Sequence, residues 1–294
     1  MSIAVVINPI SGRTRREAAP ARARLAAATI ERLGEKAEVF LTERAGHARE
    51  LAAAAAAGGA RLVIAWGGDG TINEAASALA FGHVPLGIVA SGSGNGLARE
   101  LAIDPDPERA LEQAIKASPS TVDLGELGGR LFVNVAGTGI DAYVAARFNA
   151  MGAARRGFAG YLREGTRALV SYVPASYTIT TDAERLTVRA VIVVVANSVQ
   201  YGNGARIAPG ARMDDGELDL VIVEERSRVA TLFKTPHLFR GTLAGVTGCS
   251  IRRIRQARIE SAAPMTFHAD GEPVVDGTQL IARVHPGALR IAIR

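Results

Sequence analysis

The sequence predicts an α/β fold in two parts. Residues 1–124 read as a parallel sheet between helices, and residues 125–294 as an antiparallel β-sandwich whose last strand returns to either part. Three observations carry that prediction. Short apolar runs alternate with helix-like segments up to residue 125, and glycine-rich loops close three of those runs. Beyond Thr121 the texture changes to short β-branched runs separated by turns.

Taken in order, Ile3–Ile7 is an apolar run of strand length, and Thr14–Leu33 repeats apolar residues at helical spacing. Ala37–Leu41 reads as a second strand, Gly46–Ala57 as an alanine-rich helix and Arg61–Ala65 as a third strand, giving βαβαβ. A helix over Ile72–Leu79, a strand over Leu86–Val89 and helical stretches at Leu97–Leu101 and Pro107–Ala117 continue the alternation. Such alternation buries a parallel sheet between helical layers, and ligands collect at the carboxyl ends of its strands. The second part offers strands at Leu131–Ala136, Ser176–Thr181, Leu186–Val195, Leu218–Val223, Ala257–Ile259, Met265–Ala269 and Leu280–Val284. One helical insertion, Tyr143–Tyr172, carries Arg147, Arg155, Arg156, Arg163 and Arg167, and the tail Leu289–Ile293 reads as a last strand.

At 294 residues and 48% hydrophobic, the chain is long enough for two cored domains. No uninterrupted apolar run reaches about 18 residues, and the N-terminus shows neither basic leader nor cleavage site, so a cytoplasmic location is expected. Cys249 is the single cysteine, which excludes an intramolecular disulfide. The net charge of +5 favours acidic partners. From Arg226 to Arg258 there are eight basic residues (Arg226, Arg228, Lys234, Arg240, Arg252, Arg253, Arg255, Arg258) and no Asp or Glu, interleaved with Leu232, Phe233, Leu238, Phe239 and Leu243. The stretch fits an anionic membrane surface, at about 1 kcal/mol per basic side chain, or equally a solvated basic face.

The three loops belong at one edge of the predicted sheet. Asn8-Pro9-Ile10-Ser11-Gly12 follows the first strand, Gly67–Asn73 the third, and Ser91-Gly92-Ser93-Gly94-Asn95-Gly96 the fourth. Glycine lets backbone N–H groups close around phosphate oxygens, Ser91, Ser93 and Asn95 supply hydrogen bonds, and the helix starting near Gly96 points its positive end at an anion. Singly these are ordinary turns; together they predict a nucleotide site. A Walker-type loop with its Lys and Ser or Thr is missing, as are the His-Arg-Asp and Asp-Phe-Gly elements of protein kinases.

Asn8-Pro9, Gly67-Gly68-Asp69-Gly70-Thr71-Ile72-Asn73-Glu74, Ser91 to Arg99 and Asp270-Gly271-Glu272-Pro273 together resemble the diacylglycerol kinase and sphingosine kinase superfamily, in order and over nearly the whole chain. The resemblance implies an ATP-binding domain, a β-sandwich lipid domain, and a cleft between them in which ATP phosphorylates a lipid hydroxyl with Mg²⁺. It implies that Asp69 organises metal and phosphate, and that Asn8, Thr42, Gly67, Gly68, Asp69, Gly70, Thr71, Asn73, Gly92, Ser93 and Asn95 hold the nucleotide. Thr42 reads equally as a helix N-cap. Ser93 and Gly96 stand where bacterial diacylglycerol kinases usually have Thr and Asp, a form closer to sphingosine and ceramide kinases.

Asp270 and Glu272 present both carboxylates to one face if their segment is extended, so one of them can take the lipid hydroxyl proton; the alternative is an Asp-Gly hairpin turn chosen for its backbone. The turn Met213–Asp219 is similar to one that in bacterial lipid kinases holds a structural Mg²⁺, which implies Asp215 with main-chain carbonyls of Arg212 and Glu217, or else a plain hairpin. Asp141 matches an aspartate that meets the lipid head group in sphingosine kinases, or is a solvated turn carboxylate. The five histidines lack metal-ligand spacing, so zinc is not expected.

The expectation is an ATP- and Mg²⁺-dependent lipid kinase, cytoplasmic and peripherally associated with an anionic membrane, without a nucleic-acid partner, with homodimerisation open and Asp69, Asp270 and Glu272 as catalytic residues. Its competitors are a kinase of a soluble substrate, since NAD kinases share the Gly-Gly-Asp-Gly element, and a non-catalytic nucleotide- or lipid-binding protein.

Overall fold

Two units make up the computed structural model, Met1–Val122 with Gly287–Arg294, and Asp123–Pro286. Residues 2–12, 18–150, 171–202, 204–226, 234, 236–275 and 277–293 are described. Residues 14–17 of the expected first helix, Arg155, Arg156, Arg163, Arg167, Arg228, Leu232 and Phe233 lie outside them.

The first unit alternates strand and helix: β1 (Ser2–Ile7), α1 (Ala19–Arg32), β2 (Lys36–Leu41), α2 (His47–Ala57), β3 (Leu62–Gly67), α3 (Asp69–Leu79), β4 (Leu86–Ala90), α4 (Gly96–Glu100) and α5 (Pro107–Lys116). β2, β1, β3 and β4 lie side by side and all pairs are parallel, with Ile3 opposite Leu62 and Val63 opposite Leu86. Helices on both faces explain why β1 and β3 are apolar at consecutive positions rather than alternating. Ile3, Val5, Ile7, Leu62 and Ile64 pack against Ala26 and Ile30 of α1 and Leu111 and Ala114 of α5. α5 has a sequence-legible start, since the Asp106 carboxylate accepts the Arg109 amide and Pro107 occupies the first helical position. α3 begins three residues earlier than periodicity suggests, because Ile72 N–H already bonds to Gly68 O at 3.1 Å. Half of the expected glycine loop is therefore the first helical turn.

The second unit holds β5 (Pro119–Leu127, from its Asp123 on), β6 (Arg130–Phe132), β7 (Val135–Gly139), α6 (Ile140–Ala150), β8 (Ala175–Thr181), β9 (Arg185–Ala196), β10 (Gln200–Gly202), β11 (Ala205–Arg206), β12 (Leu218–Glu224), β13 (Cys249–Ile254), β14 (Gln256–Ser261), β15 (Thr266–Ala269), β16 (Glu272–Val275) and the start of β17 (Gln279–Ala292). Pairing here is antiparallel. β9 pairs through its first half with β8 and through its second half with β7, and β12 lies along it as well. Phe132, Tyr177, Val193, Leu220, Ile259 and Phe267 belong to the main core. A parallel α/β part followed by an antiparallel one is the fold class that the sequence predicts.

Three details depart from the sequence reading. The single strand expected over Leu131–Ala136 is broken at Val133-Asn134, whose amides turn to a side chain. β5 and β13 were hidden because their polar residues, among them Asp123, Arg252 and Arg253, dilute the apolar signal. The pieces Leu280–Val284 and Leu289–Ile293 are one strand, β17, which runs through Pro286 and Gly287 (φ +60°) and ends in the first unit with Ile291 paired to Leu86 of β4. Among the described residues, no helix is long and apolar enough to cross a membrane.

Candidate functional site

The carboxyl ends of β1, β3 and β4 bring the three loops of the first unit into one hydrogen-bonded platform. Asn8 Nδ2 donates to Thr71 Oγ1 at 3.0 Å, Ser11 Oγ lies 2.7 Å from Ser91 Oγ, and the Ser91 amide donates to Gly67 O at 2.8 Å. Two glycines make this approach possible. A Cβ on Gly92 would stand 2.7 Å from the Gly68 Cα, which is backbone and has no way to yield. Asp69, in the first turn of α3, accepts the Gly96 amide on Oδ1 at 2.9 Å and so ties the second loop to the third. Asn95 is left-handed (φ +49°), and its buried Oδ1 has no hydrogen-bond partner. Ser93 is exposed on the same loop.

Two side chains to which the sequence reading assigned no role support the platform. Arg22 of α1 donates to Asn8 O (3.1 Å), Ser11 Oγ (3.1 Å) and Ser11 O (3.0 Å), and its guanidinium lies 5.9 Å from the Trp66 ring centroid. Burial lowers its pKa, a cost that these acceptors offset. Nothing in a lone Arg on an arginine-rich helix announced this. Glu74 of α3 accepts the amides of Gly46 (2.8 Å) and Ala48 (3.0 Å), so it satisfies the start of α2. The N-cap there is Gly46, which overturns the N-cap reading of Thr42. Thr42 is buried after β2, its amide donating to Ile7 O. Asn73 lies on α3, with Ser77 Oγ at 3.5 Å.

The second unit carries the remaining candidates. Asp270 and Gly271 both have positive φ (+48° and +86°) between the paired residues Ala269 and Glu272, so the segment is a two-residue hairpin turn of the mirror-image type rather than extended. Consequently the two carboxylates part. Asp270 Oδ1 accepts the amides of Asn134 and Val135 at 3.0 Å each, and Oδ2 accepts that of Val133 at 2.8 Å. Glu272 is exposed at the first position of β16.

Asp141, at the start of α6, is buried, and its Oδ2 accepts from Tyr201 Oη at 2.9 Å and lies 3.0 Å from His268 Nε2. Its Oδ1 is buried without a partner. Room for this carboxylate comes from Gly137, where a Cβ would stand 2.8 Å from Asp141 Oδ2. Burial raises the Tyr172 and Tyr177 phenols, and the Asp141 charge adds a smaller push. His268 escaped the sequence reading.

At the Asp215 turn the carboxylate is ion-paired with the Arg253 guanidinium, which also lies 2.9 Å from Glu217. Arg212 pairs with Asp214 at 3.1 Å. Next to them, burial lifts the carboxyl of Asp219 to about 6, eased by Arg253 and aggravated by Asp215 and Glu217. Arg253 thus takes the electrostatic place of a cation. The carboxylate through which a Mg²⁺ ion would be held at this turn is thus paired with the exposed Arg253 side chain in this structure. The described residues contain no group of three or more His, Cys, Asp or Glu able to hold a metal ion. The basic run is likewise largely engaged: Arg252 pairs with Glu184, Arg255 lies 3.9 Å from Glu217, and Lys234 is buried, while Phe239, Arg240 and Arg258 are exposed.

Residues 2–127 match the diacylglycerol kinase catalytic domain, and residues 134–293 match the YegS C-terminal NAD kinase beta sandwich-like domain. A probable lipid kinase YegS-like protein of Pseudomonas savastanoi pv. phaseolicola is 33% identical over 90% of this chain and 87% of its own length. A diacylglycerol kinase of Mycobacterium tuberculosis is 30% identical over 92% of this chain and 88% of its own. In fold, the chain is similar to a putative diacylglycerol kinase from Bacillus anthracis, with a TM-score of 0.82 at 20% identity over 100% of this chain and 95% of that one.

Proposed function

We propose, for a chain that belongs to the diacylglycerol kinase family of lipid kinases, that it transfers the γ-phosphoryl group of ATP to the hydroxyl of a membrane lipid such as diacylglycerol, ceramide or a sphingoid base. The observation that carries this reading is the platform in which Asn8, Gly67–Thr71 and Ser91–Gly96 are bonded to one another at the carboxyl edge of a parallel sheet. Its backbone amides and the start of α3 suit phosphate oxygens. Asp69 is the single carboxylate in the three loops, and its hard oxygens suit the divalent ion that accompanies ATP. Bound with ATP, Mg²⁺ supplies neutralisation of the phosphoryl oxygens.

In the second unit the turn after β15 supplies the proton acceptor. Asp270 gives its carboxylate to three backbone amides and so fixes the turn, and the exposed Glu272 at the start of β16 is the carboxylate assigned here as the base. Asp141, with a buried oxygen that lacks a protein partner, suits a hydroxyl or ammonium of the lipid head group. Exposed Phe239, Arg240 and Arg258 support a peripheral seat on an anionic surface.

The test is phosphate transfer from radiolabelled ATP with Mg²⁺ to a panel of these lipids in mixed micelles, for the wild type, Asp69→Ala and Glu272→Gln. Label in one lipid, lost with Asp69→Ala and reduced about 10²- to 10⁴-fold in kcat with Glu272→Gln, is the expected result. Bound ATP without label in any lipid would overturn the reading and direct attention to a soluble acceptor.

A further inference from the structure

His268 is buried, and both of its ring nitrogens are engaged by groups on different elements. Nδ1 lies 3.3 Å from the Gly271 amide nitrogen, and Nε2 lies 3.0 Å from Asp141 Oδ2. A backbone N–H can only donate, so Nδ1 must accept. The ring proton then resides on Nε2 and is donated to the Asp141 carboxylate, which also takes the Tyr201 hydroxyl proton in a hydrogen bond. The ring is further held by the Tyr201 aromatic face, with centroids 6.1 Å apart. One end of the imidazole therefore grips the hairpin turn that carries Asp270 and Glu272, and the other grips the carboxylate at the start of α6.

We infer that His268 is a positioning residue for phosphoryl transfer, acting at two separable points: through Nδ1 it fixes the Gly271 amide and with it the direction of Glu272, and through Nε2 it orients Asp141. The inference rests on the reading that the Asp270–Glu272 turn and Asp141 serve the acceptor lipid. Such a grip suits a turn formed by two consecutive left-handed residues, whose first half Asp270 anchors to Val133, Asn134 and Val135. Glu272 lies beyond Gly271, on the half whose amide His268 holds.

Two conservative substitutions separate the two ends of the ring. An asparagine amide oxygen falls near the place of Nδ1, so His268→Asn keeps an acceptor for Gly271 and loses the donor to Asp141. A glutamine amide nitrogen falls near the place of Nε2, so His268→Gln keeps the donor and loses the acceptor. In the mixed-micelle assay, His268→Gln is expected to lower kcat about 10- to 100-fold with the lipid KM little changed, the scale of a catalytic group misplaced by about an ångström. His268→Asn is expected to raise the lipid KM about 3- to 10-fold with kcat nearly retained, the scale of one lost hydrogen bond.

Amide hydrogen exchange at Gly271 reads the grip without any turnover: about 3- to 10-fold faster in His268→Gln, near wild type in His268→Asn. Equal losses of kcat and KM in both variants, or unchanged Gly271 exchange in His268→Gln, would overturn the inference. A wild-type protein that labels no lipid, yet shows the split in Gly271 exchange, would instead sink the kinase reading and leave the grip on the turn standing.

Discussion

Replacing Asp270 separates folding from chemistry at the turn after β15. The wild-type carboxylate accepts three amides, from Val133 at 2.8 Å and from Asn134 and Val135 at 3.0 Å, across the break between β6 and β7. Hydrogen bonds to a charged acceptor contribute about 1.5–3 kcal/mol each, and they do not add when they share one carboxylate, so about 3–4 kcal/mol is at stake for the set. Asp270→Ala loses all of it and also places an alanine at φ +48°, which adds about 1 kcal/mol. Asp270→Asn tolerates that backbone and keeps one oxygen for Asn134 and Val135, but turns an NH₂ toward the Val133 amide, for a loss of about 2 kcal/mol. Urea unfolding at neutral pH, followed by exchange of amides in β6, β7 and β15, should place the variants in the order wild type, Asn, Ala, with a midpoint drop of about 1–2 M for Ala. An alanine variant within about 0.5 kcal/mol of wild type, inside the ordinary range for surface substitutions, would refute the claim that Asp270 is a strut.

Two further outcomes follow from the geometry. Gly92→Ala should weaken ATP binding about tenfold or more by calorimetry, because its Cβ would stand 2.7 Å from the Gly68 Cα and force the two loops apart; an unchanged Kd would mean that the loops do not need this approach. Asp219 binds its proton more tightly when folded, titrating near 6 instead of 3.8, so its penalty is absent below pH 4, grows as pH rises through 6 and is complete above it. Asp219→Asn should therefore gain stability relative to wild type between pH 4 and pH 8, by up to about 3 kcal/mol at 1.36 kcal/mol per tenfold change in proton affinity, and parallel stability curves would refute it.

What the sequence made legible was local. Apolar runs such as Ile3–Ile7 and Leu62–Ala65 revealed buried parallel strands, and glycine loops at their ends revealed where the loops gather, because period and turn chemistry are written in neighbouring residues. What it hid depends on residues distant in the chain. Asp270 finds its amides 135 to 137 positions away, and His268 meets Asp141 across 127. No spacing rule joins such positions, so Asp270 appeared as a catalytic carboxylate and not as the anchor of the turn, and His268 not at all. The partner of the acidic turn at Asp215 was hidden in the same way: its own residues suggest a cation, and the guanidinium paired with it comes from β13.

The route of β17 has a consequence for how the protein is made. Leu289, Ile291 and Ala292 are buried in the first unit, beside a β4 strand completed some two hundred residues earlier. A ribosome will have released β1 to β4 long before their last neighbour exists, so the open side of β4 must wait through synthesis of the entire second unit. That waiting edge is a template for wrong pairing, and excising residues 1–122 as a fragment would make the exposure permanent. The protein's first unit is begun first and finished last.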